Sequence, residues 1–285
     1  MEKGVVSIIV PTFNRAHLLP ATLNSILSQT WTSWECLIID DGSSDNTVEV
    51  VKGYIKYDAR FKYFKRPENL KKGAPTCRNF GFEMSSGEYI QWFDSDDLML
   101  PDMLEKKVQT LQRNPEIDFM VAKMGEFTVN DKYSYPQYEL MSNNLVEDYL
   151  LYKIHFLTPG PLFNRTYLAQ QQLLFDINLV KHQEWEFYSR LILNGSIFVV
   201  LDDYLCLRRM HDESIKSITN KLGSNVRQLN KFDAIMALNR NTGLKYKKII
   251  RKLFYKRIFK AMVRAILEFE VRYSIYFFNT LTKLI

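Results

Sequence analysis

Three aspartates, Asp94, Asp96 and Asp97, close the apolar run that opens "YIQWFDSDDLMLPD". Tyr89, Ile90, Trp92 and Phe93 have the composition of a strand covered on both faces, the kind found in parallel sheets flanked by helices. Ligands of such sheets gather at the carboxyl ends of the strands. Carboxylates crowded there repel one another unless a cation or a hydrogen-bonding ligand compensates them, and a hard divalent ion with oxygen ligands does so. Helix capping is the competing account: a cap near Pro101 explains Asp97 or Asp102, but not Asp94 and Asp96 together. A second acidic turn, Asp40 and Asp41 in "IIDDGSSDNT", ends another apolar run. No GxGxxG follows the first apolar run and no GxxxxGK[ST] occurs, so the phosphates of a nucleotide need another counter-charge. A carboxylate-held metal is the natural substitute.

The elements that must position these acids come in a regular order. "VVSIIVPTF" (5–13) reads as a strand, and 16–29 has helical spacing in Leu19, Leu23, Ile26 and Leu27. A second strand, an acidic turn and a helix start follow in 34–47, a weaker strand in 61–67, a helix in 74–85 and a fourth strand in 88–93. This alternation implies a doubly wound α/β half with right-handed crossovers and its loops at one edge. After Pro115 the rhythm fades. Residues 117–129 look extended, 183–195 helical with Gly195 as a stop, and 196–211 extended again.

A chain of 285 residues, 46% hydrophobic and 25% charged, is an ordinary globular protein rather than a disordered one. Cys36, Cys77 and Cys206 show no CxxC spacing, which argues for reduced thiols in a cytosolic compartment. The net charge of +6 conceals an asymmetry: residues 221–285 hold 15 Lys and Arg against 3 Asp and Glu, the remainder 23 against 29. A basic tail points to a polyanion, either nucleic acid or an anionic membrane surface. No nucleic-acid module is recognisable, and no nucleic-acid partner is expected. Ile250, Leu253, Phe254, Ile258, Met262 and Ile266 instead keep near-helical spacing beside a basic stripe of Lys248, Lys252, Lys256, Lys260 and Arg264. They read as an amphipathic helix on an anionic membrane, or as a stripe that docks on the rest of the protein. Neither a signal peptide nor an apolar run long enough to span a bilayer is found.

Four stretches in order, "SIIVPTFNRAHLLPATLNSILSQT", "ECLIIDDGSSDNT", "GAPTCRNFGFEMSSGEYIQWFDSDDLMLPDML" and "FDINLVKHQEWEFYSRLILNG", resemble the inverting glycosyltransferases of family 2. The resemblance implies a GT-A fold over residues 1–220: an α/β, Rossmann-like nucleotide-binding sheet with helices on both faces. Its 1–115 half would bind the nucleotide sugar and its 116–220 half the acceptor, with a basic helical extension over 221–285. By the same resemblance, the Pro11, Thr12, Phe13, Asn14 loop and the first acidic loop hold the nucleoside, Asp41 accepting from the base. A carboxylate accepts a base N–H and cannot donate one, which suits uracil N3–H.

Asp94 and Asp96 match the family's DxD motif. Asp94 then lies near the ribose, Ser95 belongs with the donor-binding residues, and Asp96 reaches a Mn²⁺ or Mg²⁺ that neutralises the departing diphosphate. Asp97 supports the loop. Arg78 stands where "ARN" is common, as a diphosphate ligand or as a solvated helix charge, while Asn79 and Gly81 serve helix–sheet packing. His211 matches a histidine that some members use near the metal. The base position departs from the pattern: the family carries "ED" or "QD", and "HQEWEF" puts Glu184 in the aspartate's place, with Glu186 in reserve. The implied reaction moves a sugar, with inversion, from a nucleotide-sugar donor to a hydroxyl of a glycan or lipid-linked acceptor, in the cytoplasm at the inner face of the cell membrane. Two rivals remain: a nucleotidyltransferase acting on a sugar phosphate, whose Gly-rich basic loop is missing, and a non-catalytic protein on the same fold.

Overall fold

The computed structural model describes residues 1–128, 132–210, 224–267 and 271–284. In chain order the elements are β1 (Glu2–Thr12), α1 (Leu19–Leu27), β2 (Trp34–Asp40), α2 (Thr47–Tyr57), β3 (Phe61–Lys65), α3 (Ala74–Met84) and β4 (Gly87–Trp92). They continue with β5 (Leu98–Met99), α4 (Met103–Arg113), β6 (Phe119–Thr128), β7 (Tyr133–Ser134), α5 (Leu145–Leu150), β8 (Pro161–Asn164) and α6 (Arg165–Ala169). The last are α7 (Gln183–Leu193), β9 (Phe198–Met210), α8 (Ser224–Asn241), α9 (Leu244–Leu267) and α10 (Val271–Leu284). They divide between two compact units, one of residues 1–141, 156–177 and 196–210, the other of 142–155, 178–195 and 211–285.

In the first unit the described strands form one mixed sheet in the order β3-β2-β1-β4-β8-β6-β9-β5, with β7 on β6. β3, β2, β1 and β4 are parallel, as the strand–helix rhythm requires, and β8 then pairs antiparallel to both β4 and β6. The two faces of β1 show why its residues form a central strand. Val6, Ile8 and Val10 join Leu19, Leu23, Ile26 and Val51 in one core cluster. Ile9 points the other way, toward α3, as the period of two demands. There Gly81 lets the helix approach closely: a Cβ on it would lie 2.4 Å from Ile9 Cγ2 and 3.1 Å from Ile39 Cγ1. Asn79 pins the same helix to the chain at Phe175 by exchanging two hydrogen bonds with its backbone.

The second unit is helical. Phe232, Ile235 and Leu238 of α8, Ile250, Phe254 and Ile258 of α9, and Phe277 and Leu281 of α10 are buried. The apolar stripe that spacing assigns to the tail is therefore used in packing, with Phe254 edge-on to Trp185 of α7 at 6.1 Å. Helix α7 and the tail helices belong to this one unit, and the boundary expected at 215–225 lies mainly in the stretch 211–223, outside the described residues. Among the described residues no helix is long and apolar enough to cross a membrane.

Candidate active site

The carboxyl ends of β1, β2 and β4, neighbours in the sheet, carry the acidic loops. The Pro11–Asn14 loop and the first acidic loop are tied together by short polar contacts. Asn14 N–H donates to Ser43 Oγ at 2.9 Å, Asn14 Oδ1 accepts from Ser44 N–H at 2.8 Å, and Ala16 N–H donates to Asp45 at 3.0 Å. Asn14 takes a left-handed backbone (φ 52°), which asparagine tolerates better than most residues. Gly42 at φ 89° makes the turn between Asp41 and Ser43. Thr12 is buried and its carbonyl accepts from Asp41 N–H, while Phe13 stays exposed with Lys72 Nζ 3.6 Å above its ring.

Asp40 and Asp41 have different partners. Asp40 accepts from Ser43 N–H, Ser43 Oγ and Tyr63 Oη, so it is used in shaping the turn. Asp41 receives the Arg66 guanidinium on Oδ1 and lies beside the Cys77 thiol, which burial first and Asp41 second push up to about 12. Asp94 accepts from Arg78 Nη2 at 2.8 Å, and Asp96 lies 3.7 Å from Arg15 Nη2. Each of the three acids assigned to the donor thus faces a guanidinium. Arg78 is buried, so its charge is not that of a solvated helix face. Arg15 and Arg66 are contributors that the sequence reading passed over. The available signal was position: Arg15 directly follows the first loop and Arg66 directly follows β3, at the same sheet edge.

The Asp94–Asp97 loop is held from below. Thr22 Oγ1 donates to the carbonyls of Ser95 and Asp97, and Arg209 contributes its backbone N–H to Asp97 and its Nε to the Asp96 carbonyl. Asp97 is buried, and burial followed by the fields of Asp94 and Asp96 raises its carboxyl well above the usual range. It supports the loop rather than facing solvent. Among the described residues no group of three or more His, Cys, Asp and Glu side chains gathers to hold a metal unaided. Asp94 and Asp96 offer hard oxygen donors only, a set that suits Mg²⁺ or Mn²⁺ when substrate phosphates and water complete the shell. His211 lies outside the described residues.

Glu184 belongs to the second unit, in the first turn of α7. The entry to this helix is unusual: His182 and Tyr152 both have left-handed backbones (φ 58° and 60°) and their rings meet edge-on at 5.5 Å. Tyr152 also stacks on Trp185 at 4.7 Å, with Lys231 Nζ 3.8 Å from its ring. Burial first, then Lys231 and Lys181, lower the His182 imidazole to about 4, so it is neutral at physiological pH. Non-glycine residues in this conformation cost energy, and the ring contacts around Tyr152 and His182 hold them in it. Glu186 is fully buried, with Arg190 on both of its oxygens and Asn241 on Oε1, so it closes the packing of α7 on α8 and has no oxygen facing solvent.

A parallel half-sheet with an acid-bearing carboxyl edge, joined through the antiparallel β8 to a mixed outer part in which β6 and β9 are parallel, is a GT-A arrangement, and this chain has the fold of GT-A glycosyltransferases. Residues 7–172 match the family model of glycosyl transferase family 2, and the chain belongs to that family. The match ends before α7. Among curated proteins the chain is similar to the UDP-Glc:alpha-D-GlcNAc-diphosphoundecaprenol beta-1,3-glucosyltransferase WfgD of Escherichia coli. Identity is 33% over 146 residues, which span 51% of this chain and 50% of that relative. Among solved structures, S. aureus TarS 1–349 in complex with UDP-GlcNAc superposes with a TM-score of 0.74 at 19% identity, covering 98% of this chain and 80% of that one. The mannosyltransferase PcManGT of Pyrobaculum calidifontis, in complex with GDP-Man and Mn²⁺, gives 0.60 at 16%, covering 98% and 83%.

Proposed function

We propose that this protein is a metal-dependent, inverting glycosyltransferase that moves a sugar from a UDP-sugar to a hydroxyl of a lipid-linked glycan. The observation that carries the reading is the set Asp41, Asp94 and Asp96 at the carboxyl ends of β2 and β4, the two parallel strands that flank β1, each with an arginine beside it. Asp41, which already receives Arg66 on Oδ1, is the acid that would accept a base N–H, the chemistry of uracil N3–H. Asp96 is the residue that would hold Mn²⁺ or Mg²⁺, with Asp94 toward the ribose of the donor. A bound ion would supply positive charge to the departing diphosphate. Arg15 and Arg78 add fixed positive charge at the same edge, and Ser95 with the Pro11–Asn14 loop frames the donor.

Glu184 is the base in this reading: its carboxylate takes the acceptor hydroxyl's proton as that oxygen attacks the anomeric carbon, and one displacement inverts configuration. A nucleotidyltransferase fits less well, since the chain belongs to a glycosyltransferase family and its first loop lacks glycines. The expected outcome for Glu184→Gln is donor binding at the parental affinity with transfer lowered about 10²- to 10⁴-fold. Transfer at the parental rate, measured with a panel of nucleotide sugars and Mn²⁺, would refute the assignment.

The lipid-linked acceptor is supported by the activity that the Escherichia coli relative is named for, and with such an acceptor the enzyme works at the inner face of the membrane. Ile250, Phe254 and Ile258 are buried and cannot be the face that meets lipid. Tyr255, Phe259 and Val263, at intervals of four along α9, are exposed together with Ile275 and Phe278 of α10. Arg251, Lys252 and Lys260 are exposed on the same helix, and basic groups near an anionic surface contribute roughly 1 kcal/mol each. Phe259→Ser should lower sedimentation with anionic vesicles several-fold and leave that with neutral vesicles low. Unchanged sedimentation would remove this face from the account.

A further inference from the structure

The second unit contains a cavity of about 680 Å³ that the donor chemistry does not use. It is lined from α8 by Asp233, Met236, Ala237 and Arg240, and from α10 by Tyr276, Asn279, Thr280 and Lys283. Both sets follow the spacing i, i+3, i+4, i+7, which puts each on one helix face. The two faces are matched at a constant offset. Tyr276 Oη donates to Asp233 at one end, and Phe232 and Phe277 meet edge-on at 5.2 Å beside it. Arg240 and Lys283 are the last lining residues of α8 and of α10, two helical turns along each helix from the Asp233–Tyr276 contact.

Facing helices ordinarily close such a seam with apolar side chains. This one sets three amides, two hydroxyls and three charges beside only Leu179, Met236 and Ala237. Asn239, which also lines the cavity, is only 8% exposed, and its Oδ1 has no hydrogen-bond partner among the described residues. Buried polar groups are nearly always satisfied, so an acceptor atom left over in a cavity wall is an opening for a donor from a ligand. Asn178, at the entry to the segment that leads into α7, completes the rim with Leu179.

We infer that this groove binds a glycan that carries an anionic group: sugar hydroxyls along Asn178, Asn239 and Asn279, and the anion at Arg240 and Lys283. Hydroxyls both donate and accept, so they can satisfy the Asn239 oxygen and use amide N–H donors in the same contact. The volume is that of a small-molecule site, and the polar walls disfavour an acyl chain. Asp233 at the far end repels the anion and fixes which way the glycan lies. The groove is coupled to α7 within the unit, because Asn241, the residue after Arg240, donates to Glu186 on that helix. In the transferase reading, on which only this role rests, the groove is where an acceptor's inner sugars are held. The anion can be a uronate or a phosphate, and the experiment separates them.

The test is calorimetric titration of the full chain with three probes: a glucuronosyl-glucose disaccharide, neutral cellobiose and glucose 1-phosphate, each at millimolar concentration, with UDP and Mn²⁺ titrated in parallel. The acidic disaccharide should bind more tightly than cellobiose, and binding of glucose 1-phosphate at that level would identify phosphate as the anion. Arg240 and Lys283 are exposed; Arg240→Gln and Lys283→Gln, each checked for an unchanged melting temperature, should weaken the anionic probe about tenfold and leave cellobiose unchanged. Equal affinity for the charged and neutral disaccharides, binding that ignores both substitutions, or no binding of any probe overturns the proposal. Retained UDP binding in those cases leaves the donor reading standing, and loss of UDP binding with the groove intact does the reverse.

Discussion

Carboxylates stand at both ends of the parallel strands, and their surroundings differ. At the amino end, Glu35 of β2 is closed in: Ser7 Oγ and Ser86 N–H donate to Oε1 at 2.6 Å each, Ser86 Oγ adds a third contact at 3.0 Å, and Lys62 Nζ reaches Oε2 at 2.7 Å. Burial alone would raise this carboxyl, but Lys62, Ser7 and Ser86 outweigh it and lower it to about 2. At the carboxyl end, Asp94 and Asp96 are partly exposed, with Arg78 and Arg15 beside them. An acid whose oxygens are filled by its own protein holds a fold together. An acid that stays partly exposed beside an arginine keeps capacity for a ligand, and its crowding with neighbours is relieved when that ligand or ion arrives.

The largest expected effect that separates the two ends comes from Asp96→Asn. Transfer should fall about 10²- to 10³-fold and Mn²⁺-dependent UDP binding should weaken, while the melting temperature stays within about a degree or two of the parent. A large loss of stability with intact UDP binding would show that the carboxyl edge is structural after all.

Glu35→Gln should do the opposite, costing roughly 1–3 kcal/mol at neutral pH and leaving kcat alone. Its pH dependence follows from the lowered carboxyl. The folded-state value of about 2 is below the unfolded 4.5, so the stabilisation is fully present above about pH 4.5 and is lost as pH falls toward 2. Denaturant titrations of parent and variant should therefore converge on acidification. Curves that keep the same separation from about pH 7 to about pH 3 would contradict the assignment. Ser7→Ala, which removes one donor of several, should cost about 1 kcal/mol, and a loss as large as that of Glu35→Gln would mean that Ser7 alone holds the acid.

The α/β alternation was legible because β1, β2 and β4 are largely buried on both faces and read as predominantly apolar runs with few polar interruptions. Gly42 ends the β2 run and Gly73 opens α3, and both take the positive φ that glycine adopts without a Cβ penalty. Helix α7 was legible from its stripe and its Gly195 stop. Residues 133–155 were not: β7 and α5 are too short for any period to register, and their order comes from contacts such as Tyr138 Oη with the Met124 backbone.

The sequence by itself determined which acids lie at strand ends, because a strand's length and polarity are local properties. It also determined the charge of the tail. Only the tertiary structure decided that Arg15, Arg66 and Arg78 face Asp96, Asp41 and Asp94, since each pair joins different elements of the chain, Arg78 reaching its partner from α3. Only the structure decided that Glu186 is closed off by Arg190 and Asn241. It likewise decided which face of α9 is buried. Periodicity shows that a helix has an apolar stripe, but which of two stripes meets a partner depends on the helices packed against it. Ile250, Phe254 and Ile258 were taken by α8, α10 and Trp185, and Tyr255, Phe259 and Val263 were left outside.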